Sequence, residues 1–139
     1  MKFWDSSAVV PLLVGEPMTQ VISGILKKDR QMHVWWATEV ECASTLARLE
    51  RDGTDSAIIE AALTRLAALR EDWNEISPGD SVRVIAERLL RIHPLRSADA
   101  LQLAAALVLA DGEPRSVTFL SFDDRLRQAA RLEGLILFP

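Results

Sequence analysis

Short apolar runs alternating with helical segments predict an α/β protein: a three-layer α/β/α domain around a central parallel sheet of four to five strands. Two further observations support that class. The 139 residues contain no repeat, linker or low-complexity stretch, so 1–139 reads as one domain, long enough to bury a core without disulfides. Residues 98–110 are apolar all round except at Asp99 and Gln102, and a helix without a polar face belongs in the interior.

The elements follow in order. Residues 2–4 form a first strand ending at Asp5, and Ser6 or Ser7 caps a helix through Val14. Pro11 sits in its early turns, where a missing N–H costs least. After Gly15, Pro17 suits a first helical position, and Val21, Ile22, Ile25 and Leu26 recur at helical spacing. Lys27, Lys28 and Arg30 then stand at the favourable end of the helix dipole. Residues 32–36 form a second strand, and Thr38 caps a helix that runs to Asp52 and stops at Gly53. A long amphipathic helix over 55–73 places Ile59, Leu63, Leu66 and Trp73 on one face, and 74–76 is a third strand. After the Pro78-Gly79-Asp80 turn, Asp80 caps a helix over 81–91. Ser97 caps the apolar helix, which Asp111-Gly112 ends. A strand over 116–122, a helix over 124–133 closed by Gly134, and a last strand over 135–138 complete the chain.

Composition removes several function classes. Apolar residues make up 49% of the chain and charged residues 26%, a globular balance. Cys42 is the only cysteine and His33 and His93 are the only histidines, which excludes an internal disulfide and a Cys/His zinc site. Asp5, Pro11 and Glu16 interrupt any signal-like stretch after Lys2. The longest apolar run, 103–110, is far short of the roughly 20 residues of a membrane helix. A cytoplasmic protein without membrane contact is expected. The net charge of −4 opposes a nucleic-acid partner, yet thirteen of the sixteen basic residues are arginines. An anionic substrate then requires those arginines to cluster, or cations to bridge it to the acids.

The acids fall where such cations would bind. Asp5 follows the first strand, Asp123 follows the strand over 116–122, and Glu41 lies in the opening turn of the helix after the second strand. All three therefore sit at carboxyl ends of strands, where open parallel sheets bind ligands. Asp99 opens the apolar helix, and a charge expected to be buried there calls for a partner or a metal. Each alone has an ordinary explanation as a cap or a surface acid. Together they repel: two like charges ~4 Å apart cost ~4 kcal/mol at an effective dielectric of 20. A cation relieves that cost, and all-oxygen ligation suits Mg²⁺ or Mn²⁺ and not zinc or copper.

The stretches FWDSSAVVPLL, EVECASTLARL, LRSADALQLAAAL and TFLSFDDRLRQAARLEGL each resemble a signature block of the PIN-domain nucleases, above all of the VapC-type toxins of toxin–antitoxin pairs. The blocks stand in the family's order and span nearly the whole chain. The resemblance implies Asp5, Glu41, Asp99 and Asp123 as an acidic quartet that binds Mg²⁺ or Mn²⁺ and cleaves RNA to 5′-phosphate and 3′-hydroxyl ends. It also implies a homodimer and a cognate antitoxin. The family's glutamate stands five residues before a leucine that precedes Ala-Arg, which selects Glu41 against Leu46 and leaves Glu39 as the substitute. Asp123 lies three residues before Leu126, as the pattern requires, so Asp124 is secondary. Ser6 and Ser121 resemble the family's hydroxyl residues beside the metal, although capping and strand-end hydrogen bonding explain them equally well.

The remaining chemistry-bearing residues have simpler readings. Cys42 has no paired histidine and is expected to be a small buried side chain. His93, before Pro94, is expected to be structural. One of Trp35 and Trp36 belongs in the core and the other is free to stack on a base. Arg96, three residues before Asp99, is the candidate phosphate contact. A phospho-receiver domain has similar length but needs an acidic pair after the first strand and a late lysine. Here Ser6-Ser7 follows Asp5, and the lysines are Lys2, Lys27 and Lys28. A catalytically silent PIN-like RNA- or protein-binding module and a non-toxin housekeeping nuclease are the alternatives.

Overall fold

The computed structural model describes residues 1–139. In chain order it comprises β1 (Lys2–Trp4), α1 (Ser6–Leu13), α2 (Thr19–Lys28), β2 (His33–Trp35), α3 (Thr38–Arg51), α4 (Ser56–Asp72), β3 (Asn74–Ile76), α5 (Asp80–Ile92), α6 (Ser97–Ala110), β4 (Thr118–Leu120), α7 (Asp124–Leu132) and β5 (Ile136–Phe138). A single 3₁₀ turn, Pro114–Ser116, precedes β4. All five strands are parallel, in the order β3-β2-β1-β4-β5. The chain therefore builds outward from β1 in one direction and then returns to build β4 and β5 on its other side. The crevice between β1 and β4 is the topological switch point, where open α/β sheets take their ligands.

Alternation along the short strands makes two cores from one sheet. Phe3, Trp35 and Phe119 point to the face covered by α5, α6 and α7, and the Phe3 and Phe119 rings stack with centroids 5.6 Å apart. Trp4, Val34 and Leu120 point to the other face, covered by α1 to α4 through Val9, Leu13, Ile22, Leu46 and Leu66. The three-layer arrangement is the expected one, with all five strands present. The apolar helix α6 is buried along most of its length, at Leu103, Ala104, Ala105 and Ala106 among others.

Several helix starts differ from the expected ones by a residue or two, while α7 begins at Asp124 as expected. Asp5, and neither Ser6 nor Ser7, caps α1, its carboxylate accepting from the Ser7 N–H. Thr38, Asp80 and Ser97 are first helical residues, preceded by Ala37, Gly79 and Arg96, which make no side-chain cap. Pro17 lies outside α2, which begins at Thr19. On α4 the buried stripe is Ile59, Ala62 and Leu66, while Leu63 is 44% exposed, so that face is rotated from the expected one. Two tryptophans divide as expected: Trp35 is buried and Trp36 is exposed. No helix is long and apolar enough to cross a membrane.

Candidate metal centre

Asp5 is the anchor. It leaves β1 at the switch point, its own N–H donating to the Leu120 carbonyl of β4 at 3.0 Å, and it is only 3% exposed. Its Oδ2 accepts from the hydroxyls of Ser7 and of Ser121, the latter at 2.9 Å. These bonds lock the carboxylate in place. Burial pushes its pKa up, and the hydroxyl and backbone donors only partly offset that.

Ser121 ties a second acid to the first. Its hydroxyl oxygen accepts from the Asp123 N–H at 3.1 Å while its hydrogen points to Asp5. Asp123 caps α7, Oδ1 accepting from the Leu126 N–H at 2.8 Å, and stands exposed. Phe122 between them donates its N–H to the Ser7 hydroxyl at 2.9 Å. Arg127, one helical turn on, donates to the Ser121 carbonyl at 3.0 Å and stiffens the same corner.

Glu41 reaches in from the opening turn of α3. Its Oε1 accepts from Ser6 at 3.3 Å, and its Oε2 accepts from the Gln102 amide at 3.0 Å. Burial and the nearby Asp5 charge push its pKa up to about 7. Gln102 is fully buried, donates also to Thr38 Oγ1 at 3.0 Å, and leaves its own Oε1 without a partner. Asp99 comes from the first turn of α6, half-buried where a buried position was expected; Asp5 is the more buried acid. Burial raises the Asp99 pKa first, the charges of Asp123 and Asp5 raise it further, and Arg96 opposes them. Glu39 turns away from this group and pairs with Arg70 on α4 at 2.7 Å.

Four carboxylates from four elements thus lie at one end of the sheet, with the charge of Asp5 acting on Glu41 and Asp99 and that of Asp123 on Asp99. They do not close into a ready-made cage: no three Asp, Glu, His or Cys side chains stand close enough together to hold an ion by themselves. The donor set is all oxygen, as hard divalent ions require.

Of the remaining candidates, Ser6 and Ser121 both hydrogen-bond the acids directly. Asp124 is the first residue of α7 and is exposed. Cys42 is buried and its thiol is pushed up to about 12 by burial and by the Glu41 charge, so it is no nucleophile. His93 is buried against Glu133, with Nε2 2.8 Å from its carboxylate, far from the acids in role. Sequence reasoning left Ser7 as a mere cap and assigned nothing to Gln102. A signal existed for the second: Gln102 is the one polar break in the apolar run besides Asp99, and lies three residues on, on the same helical face.

Comparison with known proteins bears on the family and the fold. The PIN domain family matches residues 2–132. No curated protein sequence matches. Among solved structures the chain is similar to FitAcB from Neisseria gonorrhoeae, with a TM-score of 0.68, 16% identity, and coverage of 100% of this chain and 97% of that one. It is similar also to PAE2754 from Pyrobaculum aerophilum, with a TM-score of 0.66, 18% identity, and coverage of 98% and 87%. VapC20 from Mycobacterium tuberculosis, described as a sarcin–ricin loop cleaving toxin, gives a TM-score of 0.67 and 16% identity over 98% of this chain and 97% of its own. Identities this low speak for a shared fold. With the family match running from β1 through α7, and the switch-point acids in place, the chain belongs to the PIN domain family.

Proposed function

We propose that the protein is a divalent-metal-dependent endoribonuclease, the toxin of a VapBC-like toxin–antitoxin pair. The observation that carries this is the convergence of a buried Asp5 with Glu41 and Asp99, both of which its charge raises, and with Asp123, whose charge also raises Asp99, at the switch point of a PIN-domain sheet. Raised carboxyl pKa values caused by burial and like charge mark a site that is unfavourable when empty and relieved by a cation. RNA as substrate and a toxin's role are supported by the likeness to VapC20, described as cleaving the sarcin–ricin loop.

Asp5, Asp99 and Asp123, with Glu41, would hold Mg²⁺ or Mn²⁺. When bound, the ion supplies a water of lowered pKa and charge stabilisation for a phosphodiester displacement. The protein's own part is to position. Ser7 and Ser121 fix the Asp5 carboxylate, and Gln102 and Ser6 aim Glu41. In the metal-free site burial and the Asp5 charge raise the Glu41 pKa to about 7, and a bound cation would favour its ionised form. Arg96, exposed at the start of α6 and close enough to Asp99 to act on its charge, would meet the substrate phosphate. A homodimer, a cognate antitoxin and a cytoplasmic location belong to the same proposal.

The test is cleavage of a structured RNA with millimolar Mg²⁺ or Mn²⁺ and with chelator, for the parent, Asp5→Asn and Asp99→Asn. Metal-dependent cleavage that both variants lose by 100-fold or more, on the order of 3 kcal/mol of barrier, is expected. Chelator-resistant cleavage, or full activity in either variant, contradicts it. Loss of all RNA cleavage by the parent would favour a silent binding module.

A further inference from the structure

Beside the carboxylates lies a cleft of about 430 Å³ between α1, the loop after it and α3. Its walls include Ser6, Glu16, Met18, Thr45, Arg48 and Phe122. Two of these join it to the acidic site. Ser6 hydrogen-bonds Glu41, and Phe122 lies between Ser121 and Asp123. The third link is helical: Glu41, Thr45 and Arg48 stand at i, i+4 and i+7 on α3, on one face. The cleft therefore starts at the acids and follows α3 for ~10 Å, the rise of seven helical residues.

The lining has two kinds of chemistry. Arg48 is exposed and takes part in none of the protein's salt bridges, although acids outnumber bases in the chain. An unpaired guanidinium facing a cleft next to the carboxylates suits a phosphate, whereas the Thr45 hydroxyl beside it is spent on the Glu41 carbonyl. Phe122 and Met18 are half-buried apolar surfaces on another wall, which suit the flat face of a base. Glu16 repels phosphate and accepts from a base amino group, so the base belongs on the loop side and the phosphate on the α3 side.

We propose that this cleft binds the nucleotide adjoining the scissile phosphate, with Arg48 on its phosphate and Phe122 and Met18 against its base. The assignment rests on the nuclease reading of the acidic site and adds to it the path of the substrate strand. A basic peptide, the competing occupant, would be drawn by Glu16 but opposed by Arg48, so Arg48→Ala would not weaken its binding.

The experiment measures anisotropy of a fluorescent single-stranded RNA in Mg²⁺ across a salt series, in an Asp99→Asn background that leaves the RNA intact. Arg48→Ala should weaken binding about tenfold and lower the slope of log K against log salt by about 0.7, one phosphate contact on a single strand. Arg48→Lys should keep the slope. Phe122→Leu, which retains core packing, should weaken binding severalfold at unchanged slope, because stacking is lost and charge is not. With the acids intact, Arg48→Ala should raise KM for RNA more than it lowers kcat. Parent-like affinity and slope in Arg48→Ala overturns the proposal, and so does a slope change in Phe122→Leu that equals that of Arg48→Ala. Failure of the nuclease reading appears separately, as RNA that the parent never cuts or that Asp99→Asn still cuts.

Discussion

Glu41 sits between two opposing influences. Burial and the Asp5 charge favour its neutral form, while the Gln102 amide and Ser6 hydroxyl favour its ionised form, and the balance lies at about 7. Glu39, two residues earlier, points elsewhere and is paired with Arg70. Glu41→Gln should therefore abolish metal-dependent RNA cleavage, by roughly 100-fold or more, while Glu39→Gln leaves it within about twofold. Equal loss in both would show that the helix start is generally sensitive to charge. The positions of these acids were legible in the sequence because strand ends and helix starts are local features. Ser7 and Gln102 were not, because their partners lie on remote segments: Ser7 meets Ser121 and Phe122, and Gln102 meets Thr38 and Glu41. Only the folded sheet brings them together. Asp99 was placed deeper than it is because an apolar run says nothing about how far its first turn projects.

At the scale of elements, α5 and α7 are braced away from the site. Glu133, at the end of α7, accepts from Arg88 at 2.7 Å and from the buried His93 that ends α5. Burial alone would raise the Glu133 pKa, but the hydrogen bonds and charges of Arg88 and His93 outweigh it and lower the pKa. Glu133→Ala strands the buried imidazole without a partner, which costs about 1–3 kcal/mol. Thermal unfolding should show a fall of several degrees, and RNA cleavage with Mg²⁺ should stay at the parent level. A parallel loss of cleavage would mean that the brace also shapes the site. The apolar helix was recovered from a strong pattern, and the short strand over 74–76 falls where expected although two of its three residues are exposed. Their ends were displaced because side-chain oxygens at Thr38 and Ser97 suggested caps that the fold uses otherwise. Thr38 turns inward to Gln102, and Arg96 takes the position before α6.

For the whole molecule, the acids make stability depend on pH in two opposed ways. Asp5, Glu41 and Asp99 have raised folded pKa values, so the folded protein holds more protons than the unfolded chain across the interval between the two. For Glu41 that interval runs from 4.5 to about 7, and stability falls as pH rises through it. Glu133 acts in the other sense: its stabilisation is present above its ordinary value of 4.5 and is lost as pH falls through its lowered folded value. In chelator the melting temperature should therefore be highest at mildly acidic pH and lower at pH 7. Saturating Mg²⁺ should flatten the fall between 4.5 and 7, since it favours the ionised carboxylates. A metal-free profile that rises steadily to pH 7 would contradict the strain assigned to the acids. If this strain exists for a metal, Asp99→Asn should relieve it, because the substitution keeps the shape and removes one charge. The measurement is a pair of melting curves for the parent and the variant, one in chelator and one in millimolar Mg²⁺. In chelator the variant should melt higher by a few degrees, on the order of 1 kcal/mol, and Mg²⁺ should raise the parent's midpoint more than the variant's. If Asp99→Asn melts lower than the parent in chelator and both respond equally to Mg²⁺, Asp99 is a structural helix-start residue and the metal centre described here is wrong.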